Sequence, residues 1–259
     1  MCRLLGVISR EPISLDRAVA EEIEPFTALS ELHRDGWGVA WYDLQERRRP
    51  QIRRHLDVAR ESAAYREALS AATGPMMLVH LRKASDGISL CLENTHPFRE
   101  GEMVFAHNGQ FDLSPGLAEA ILERGGRPVE GTTDSELFFS LVELYARECE
   151  PWLAVQRAAA ELTGLVRRFG TRVPEALNCL FMTPDVMVAY QQSDPSQAKP
   201  YHEPDNYTLR YRVDPERVLI ASSGLPAEGW AELGEGEALV VDRRTLSAVR
   251  HRAIAPLAA

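Results

Sequence analysis

Cysteine is scarce in this chain: four residues in 259, Cys2, Cys91, Cys149 and Cys179, with no CxxC spacing among them. Scattered thiols of this kind suit a reducing cytoplasm better than a disulfide framework. Cys91 with His80, His96 and His107 matches no compact ligand spacing, so no metal is expected, and no cofactor. Positive charge is also short. Lys and Arg number 29 against 38 Asp and Glu, giving a formal net charge of -9, which argues against nucleic-acid binding. The nearest basic run, Arg47-Arg48-Arg49 with Arg53 and Arg54, reads as the solvated turn and edge of a hairpin. No apolar run approaches a membrane span. The opening Met-Cys-Arg-Leu-Leu-Gly-Val-Ile-Ser is too short in its apolar part for a signal peptide. Repeats and low-complexity linkers are missing too, and a single domain over 1–259 is expected.

What is present is a strand-rich pattern around a helical block. Residues 2–8 and 37–43 read as buried strands, with a helix over Leu15–Leu32 between them. A helix follows over Ser62–Ala72, then strands at Met76–Arg82 and Met103–His107. Further helices fit 114–124, 134–149 and 152–169, the second with Thr133 or Asp134 as its cap. From Ala176 onward strands dominate: Leu177–Met182, Val186–Gln191, Thr208–Arg212, Val218–Ser222, Ala238–Val241 and Leu246–His251. Strands on both sides of a helical block suggest packed sheets with helices outside. Ser193–Tyr207 is the one long loop, and is expected to border a site or to be mobile.

Cys2 carries the first chemical signal. Removal of Met1 would give it a free α-amine, and model values of about 8.5 for a thiol and about 7.7–8.0 for that amine make proton exchange between them easy near neutral pH. On its own the residue reads more readily as a buried strand cysteine. Arg82, in His80-Leu-Arg82-Lys-Ala-Ser85, closes a strand where a guanidinium could clamp a carboxylate, although an isolated arginine is more often a surface ion pair. Asn108-Gly109 after a strand reads first as a turn, and alternatively as an oxyanion hole. Gly131-Thr-Thr-Asp134-Ser-Glu136 opens a helix. Asp134 there either caps or receives an ammonium.

Taken together, Met-Cys2-Arg, His-Arg-Asp35-Gly36-Trp-Gly38, His80-x-Arg82-x-Ala-Ser85, Asn94-x-His96-Pro, His107-Asn108-Gly109 and Thr-Thr-Asp134-x-Glu resemble the class II glutamine amidotransferases, in that family's order. The likeness is greatest to the small stand-alone, YafJ-type branch, which includes γ-glutamyl amidohydrolases of thiol metabolism. Ala221-Ser-Ser-Gly-Leu-Pro-Ala-Glu-Gly-Trp230 extends it less specifically. The resemblance implies an α+β Ntn-hydrolase fold, a four-layer αββα sandwich. It implies Cys2 as nucleophile with its own amine as base, Asn108 and Gly109 as oxyanion hole, and Arg82 and Asp134 as holders of the substrate's carboxylate and amine. Ser85 and His96 become supporting contacts. Lys83 departs from the pattern, standing where related sites often carry an aromatic residue. The expected substrate is L-glutamine or a γ-glutamyl small molecule, with no synthase domain following and a separate ammonia-accepting protein as a further partner. An inactive scaffold that only binds is the alternative from outside the enzymes.

Overall fold

In the computed structural model, which describes residues 2–43, 48–85, 87–169, 173–197 and 206–252, strand β1 (Arg3–Ser14) sets the layering. Its alternate side chains part to opposite faces, as a strand's period of two requires. Leu5 and Val7 join a core with helices α1 (Leu15–Ala18), α2 (Ile23–Ala28) and α3 (Ala63–Ala71). Leu4 and Ile8 face the other way, into a core shared with Val104, Ala106, Leu180 and Met182 of a second sheet.

The first sheet has seven strands. Their order is β11 (Ala231–Glu232), β9 (Leu209–Val213), β10 (Arg217–Ser222), β1, β4 (Thr73–Leu81), β2 (Trp37–Tyr42) and β3 (Pro50–His55). The second has six: β13 (Ala248–His251), β12 (Ala238–Asp242), β8 (Val186–Tyr190), β7 (Ala176–Met182), β6 (Met103–Gln110) and β5 (Phe98–Glu100). Every pairing is antiparallel. Helices α4 (Pro115–Glu123), α5 (Asp134–Ala146) and α6 (Pro151–Phe169) cover the far side of this second sheet through Leu117, Phe138, Phe139, Val155 and Leu162. Three stacked cores therefore separate four layers in the order α, β, β, α.

The helix expected over Leu15–Leu32 is broken in the structure. It divides into α1, α2 and a 3-10 turn over Leu29–Glu31. Pro25 has no N–H and would clash with a carbonyl four residues back, so a helix can hold it only in a first turn, which is where α2 places it. The expected strand at Leu246 starts at Ala248, because Leu246 lies at φ 58° in the turn after Asp242. Asn108-Gly109 is not a turn. Strand β6 runs through both residues, which pair with Asn178 and Leu177. Of the expected basic hairpin, Arg53 and Arg54 lie on edge strand β3 and Arg47 falls outside the described residues. In the expected loop Ser193–Tyr207, Pro195–Gln197 forms a 3-10 turn and 198–205 fall outside the described residues.

Candidate active site

Register alone brings the first residues of β1 to the end of β4, since Arg3 pairs with Leu81. Cys2 thus meets the segment that leaves β4, and its thiol donates to the Lys83 carbonyl at 3.6 Å. The second sheet supplies the other wall. From β6, Asn108 accepts the Cys2 backbone N–H on Oδ1 at 3.0 Å. That contact turns the amide nitrogen away: Nδ2 is buried with no hydrogen-bond partner among the described residues. A buried, unsatisfied N–H donor costs about 1–3 kcal/mol, so the site is completed by something that accepts from it. Next along the strand, a Cβ on Gly109 would lie 1.9 Å from the Ala176 carbonyl oxygen. Only glycine fits there.

Asp134 opens α5, capped by Thr133, whose hydroxyl accepts the Glu136 N–H at 3.3 Å. Its carboxylate accepts the N–H groups of Ser135 at 2.8 Å and Phe111 at 3.1 Å, and the Ser135 hydroxyl at 3.1 Å. Arg82 is buried, and its guanidinium donates to the carbonyls of Asp35 at 3.4 Å and Ser89 at 3.3 Å. No carboxylate among the described residues forms an ion pair with it. A buried cation held only by two long bonds to carbonyls has donors to spare for a carboxylate.

Cys2, Arg82, Ser85, His96, Gly109 and Asp134 line one cavity, and Asn108 joins it through its bond to Cys2. All the residues singled out from the sequence are therefore brought together. Asn94, His107 and Ser135 share the lining without having been assigned a role, as does Thr133, expected only as a helix cap. Asn94 ties the wall together, donating to the Ser89 carbonyl at 3.1 Å and accepting the Thr132 N–H at 2.7 Å. Its signal was its place in the Asn-Thr-His-Pro run. His107 meets the Ser135 hydroxyl at 2.9 Å.

Burial dominates the electrostatics. It pushes the Cys2 thiol up, against the lowering influence of the chain's terminal amine, the bond to the Lys83 carbonyl and Arg82. The His80 and His96 rings stack at 4.3 Å, and burial lowers His80 to about 3, His96 well below its ordinary value, and His107 in the same direction. The three rings are neutral at pH 7 and bring no positive charge to the thiol, whereas Arg82 does. Among the described residues no group of three or more His, Cys, Asp or Glu is arranged to hold a metal, and no helix is long and apolar enough to cross a membrane.

Residues 1–256 match the family model described as glutamine amidotransferases class-II. An uncharacterised protein of Methanocaldococcus jannaschii is 28% identical over 271 residues, covering 93% of this chain and 69% of its own. Among solved structures, a glutamine aminotransferase class-II domain protein from Silicibacter pomeroyi superposes with a TM-score of 0.71 at 24% identity, covering 98% of this chain and 100% of that one. The glutamine phosphoribosylpyrophosphate amidotransferase of B. subtilis superposes with a TM-score of 0.65 at 17% identity, over 96% of this chain and 49% of its own. These neighbours share the layered sheets and establish the fold as that of the Ntn hydrolases. With the family model matching nearly from end to end, the chain belongs to the class II glutamine amidotransferases.

Proposed function

We propose that the protein hydrolyses the γ-amide of L-glutamine through a thioester on Cys2. The observation that carries this reading is the division of the Asn108 amide. Its oxygen holds the Cys2 nitrogen while its buried NH2 has no hydrogen-bond partner among the described residues, which suits a donor reserved for an oxyanion. Burial keeps the thiol protonated, so a base must take its proton before it can attack. The α-amine of Cys2, freed by loss of Met1, is the base at hand.

The steps follow. The amine takes the thiol proton and the sulfur attacks the γ-carbonyl carbon. The carbonyl π electrons move to oxygen, where Asn108 Nδ2 and the Gly109 N–H receive them. Collapse breaks the C–N bond, and the amine's proton leaves with ammonia. Water, deprotonated by the same amine, then attacks the thioester carbon; the C–S bond breaks, the amine returns its proton to the sulfur, and glutamate leaves. Arg82 and Asp134 hold the substrate's α-carboxylate and α-amine, with Ser85 and His96 beside them.

A larger γ-glutamyl amide is the second reading. What favours it is Lys83, exposed on the cavity lining with no ion-pair partner among the described residues. Transfer of the ammonia to a separate protein is compatible with either.

Glutamate release measured beside intact mass tests the proposal. Active protein is expected to have lost Met1, and both Cys2→Ala and a variant with an untrimmed residue before Cys2 are expected to be folded and inactive. Full activity in protein shown to retain Met1 would overturn the amine mechanism.

A further inference from the structure

The segment that faces Cys2 is not part of any sheet. After β4 ends at Leu81, residues 82–85 have no regular structure, yet they present the Arg82 guanidinium and the Lys83 carbonyl. Irregular backbone beside a reacting group needs fixed partners, since a displacement of about 1 Å can cost about a hundredfold in rate.

Those partners come from two residues just before β2. The Arg82 N–H donates to the Gly36 carbonyl at 2.8 Å, and the Asp35 N–H donates to the Arg82 carbonyl at 3.1 Å. These two bonds prolong the β2–β4 ladder past its last pair, Trp37 with Leu81. Beyond Arg82 the backbone ladder gives out, and a side chain replaces it: Asp35 Oδ2 accepts the Ala84 N–H at 2.8 Å. Gly36, at φ 121°, makes the turn that brings Asp35 there, and a Cβ on it would lie 2.6 Å from the His55 carbonyl oxygen.

The choice of partner matters as much as the bond. Asp35 is close enough to influence Arg82 electrostatically, but its carboxylate goes to a backbone amide, and only its carbonyl meets the guanidinium. The loop is gripped on both sides of Lys83 while the arginine's charge stays available.

We propose that Asp35 is a positioning residue for the glutamyl-binding wall, fixing residues 82–84 through the Ala84 amide without neutralising Arg82. The proposal rests on the glutaminase reading, because it assumes that Arg82 receives the substrate's carboxylate.

Asp35→Ala removes the acceptor, and Asp35→Asn keeps an oxygen for the Ala84 N–H while removing the charge. In the alanine variant, KM for glutamine is expected to rise about tenfold or more, the usual scale for losing a charge-assisted bond, with kcat changing much less. The asparagine variant is expected to recover most of the parental KM. In the parent, the Ala84 amide should be protected from hydrogen exchange, a measurement that needs no variant should alanine fail to fold.

A parental KM in Asp35→Ala, an asparagine variant as impaired as alanine, or rapid exchange at Ala84 would overturn the proposal while leaving the glutaminase reading intact. A parent that releases no glutamate from glutamine would overturn both.

Discussion

Asn108 concentrates the chemistry of the site in one side chain, because its two amide atoms do different things: Oδ1 accepts from Cys2, and Nδ2 waits buried. Asn108→Ala is expected to lower kcat about a hundred- to a thousandfold, the usual effect of losing an oxyanion donor, and to leave KM within a few-fold. A change confined to KM would reassign the residue to substrate holding. In the sequence Cys2, Arg82, Asn108 and Asp134 each carry a chemical reading beside a plainer structural one, and it is the resemblance to the class II glutamine amidotransferases that chooses between them. Asn94, His107 and Ser135 were harder to assign. Their contribution lies in bonds to residues 28–38 positions away, and local pattern carries no information at that range. The Asn-Gly pair shows the converse problem: its turn propensity is real, but pairing with β7 and close packing against Ala176 prevail over it.

At the scale of elements, the glutaminase reading makes α5 a link between helix stability and substrate binding. Its cap bond from the Glu136 N–H to Thr133 fixes the first turn, and Asp134 is the first residue of that turn. Thr133→Ala is expected to cost about 1 kcal/mol of stability, read as a lower urea midpoint at unchanged slope, together with a raised KM as Asp134 loosens. Stability lost without any change in KM would separate the cap from the site. Helix α5 was legible from its Thr133 cap and α6 from its long apolar face. The region 15–32 was not, because apolar spacing continues through Pro25 while the backbone cannot. Short edge strands such as β5 and β11, of three and two residues, carry too few alternations to be read at all.

For the whole molecule, buried histidines set a dependence on acidity. His33 and His80 are each lowered to about 3, burial being the main cause; His96 and His107 shift the same way. The unfolded chain binds protons near an ordinary histidine value of about 6.5, so between that pH and about 3 unfolding takes up protons. Stability should therefore be fully present above about pH 6.5 and fall as the pH drops, by up to about 1.4 kcal/mol per pH unit for each such group. Urea midpoints measured from pH 8 to 5 test this. A midpoint that rose on acidification would contradict it. The four-layer order was available only through resemblance, because composition and periodicity fix which faces are apolar but not which sheet each face meets.

The register of β1 has a consequence for the order in which the protein is made. This strand, the first of the described elements, lies in the middle of its sheet, with Leu5 opposite Val79 on one side and opposite Ala221 on the other. The Leu4 N–H also waits for the hydroxyl of Ser222. The strand that follows Cys2 lacks one neighbour until β10, Arg217–Ser222, has been made. Under the glutaminase reading, catalytic competence therefore waits for β10, and a product terminated before that strand keeps Cys2 without a finished sheet to hold it.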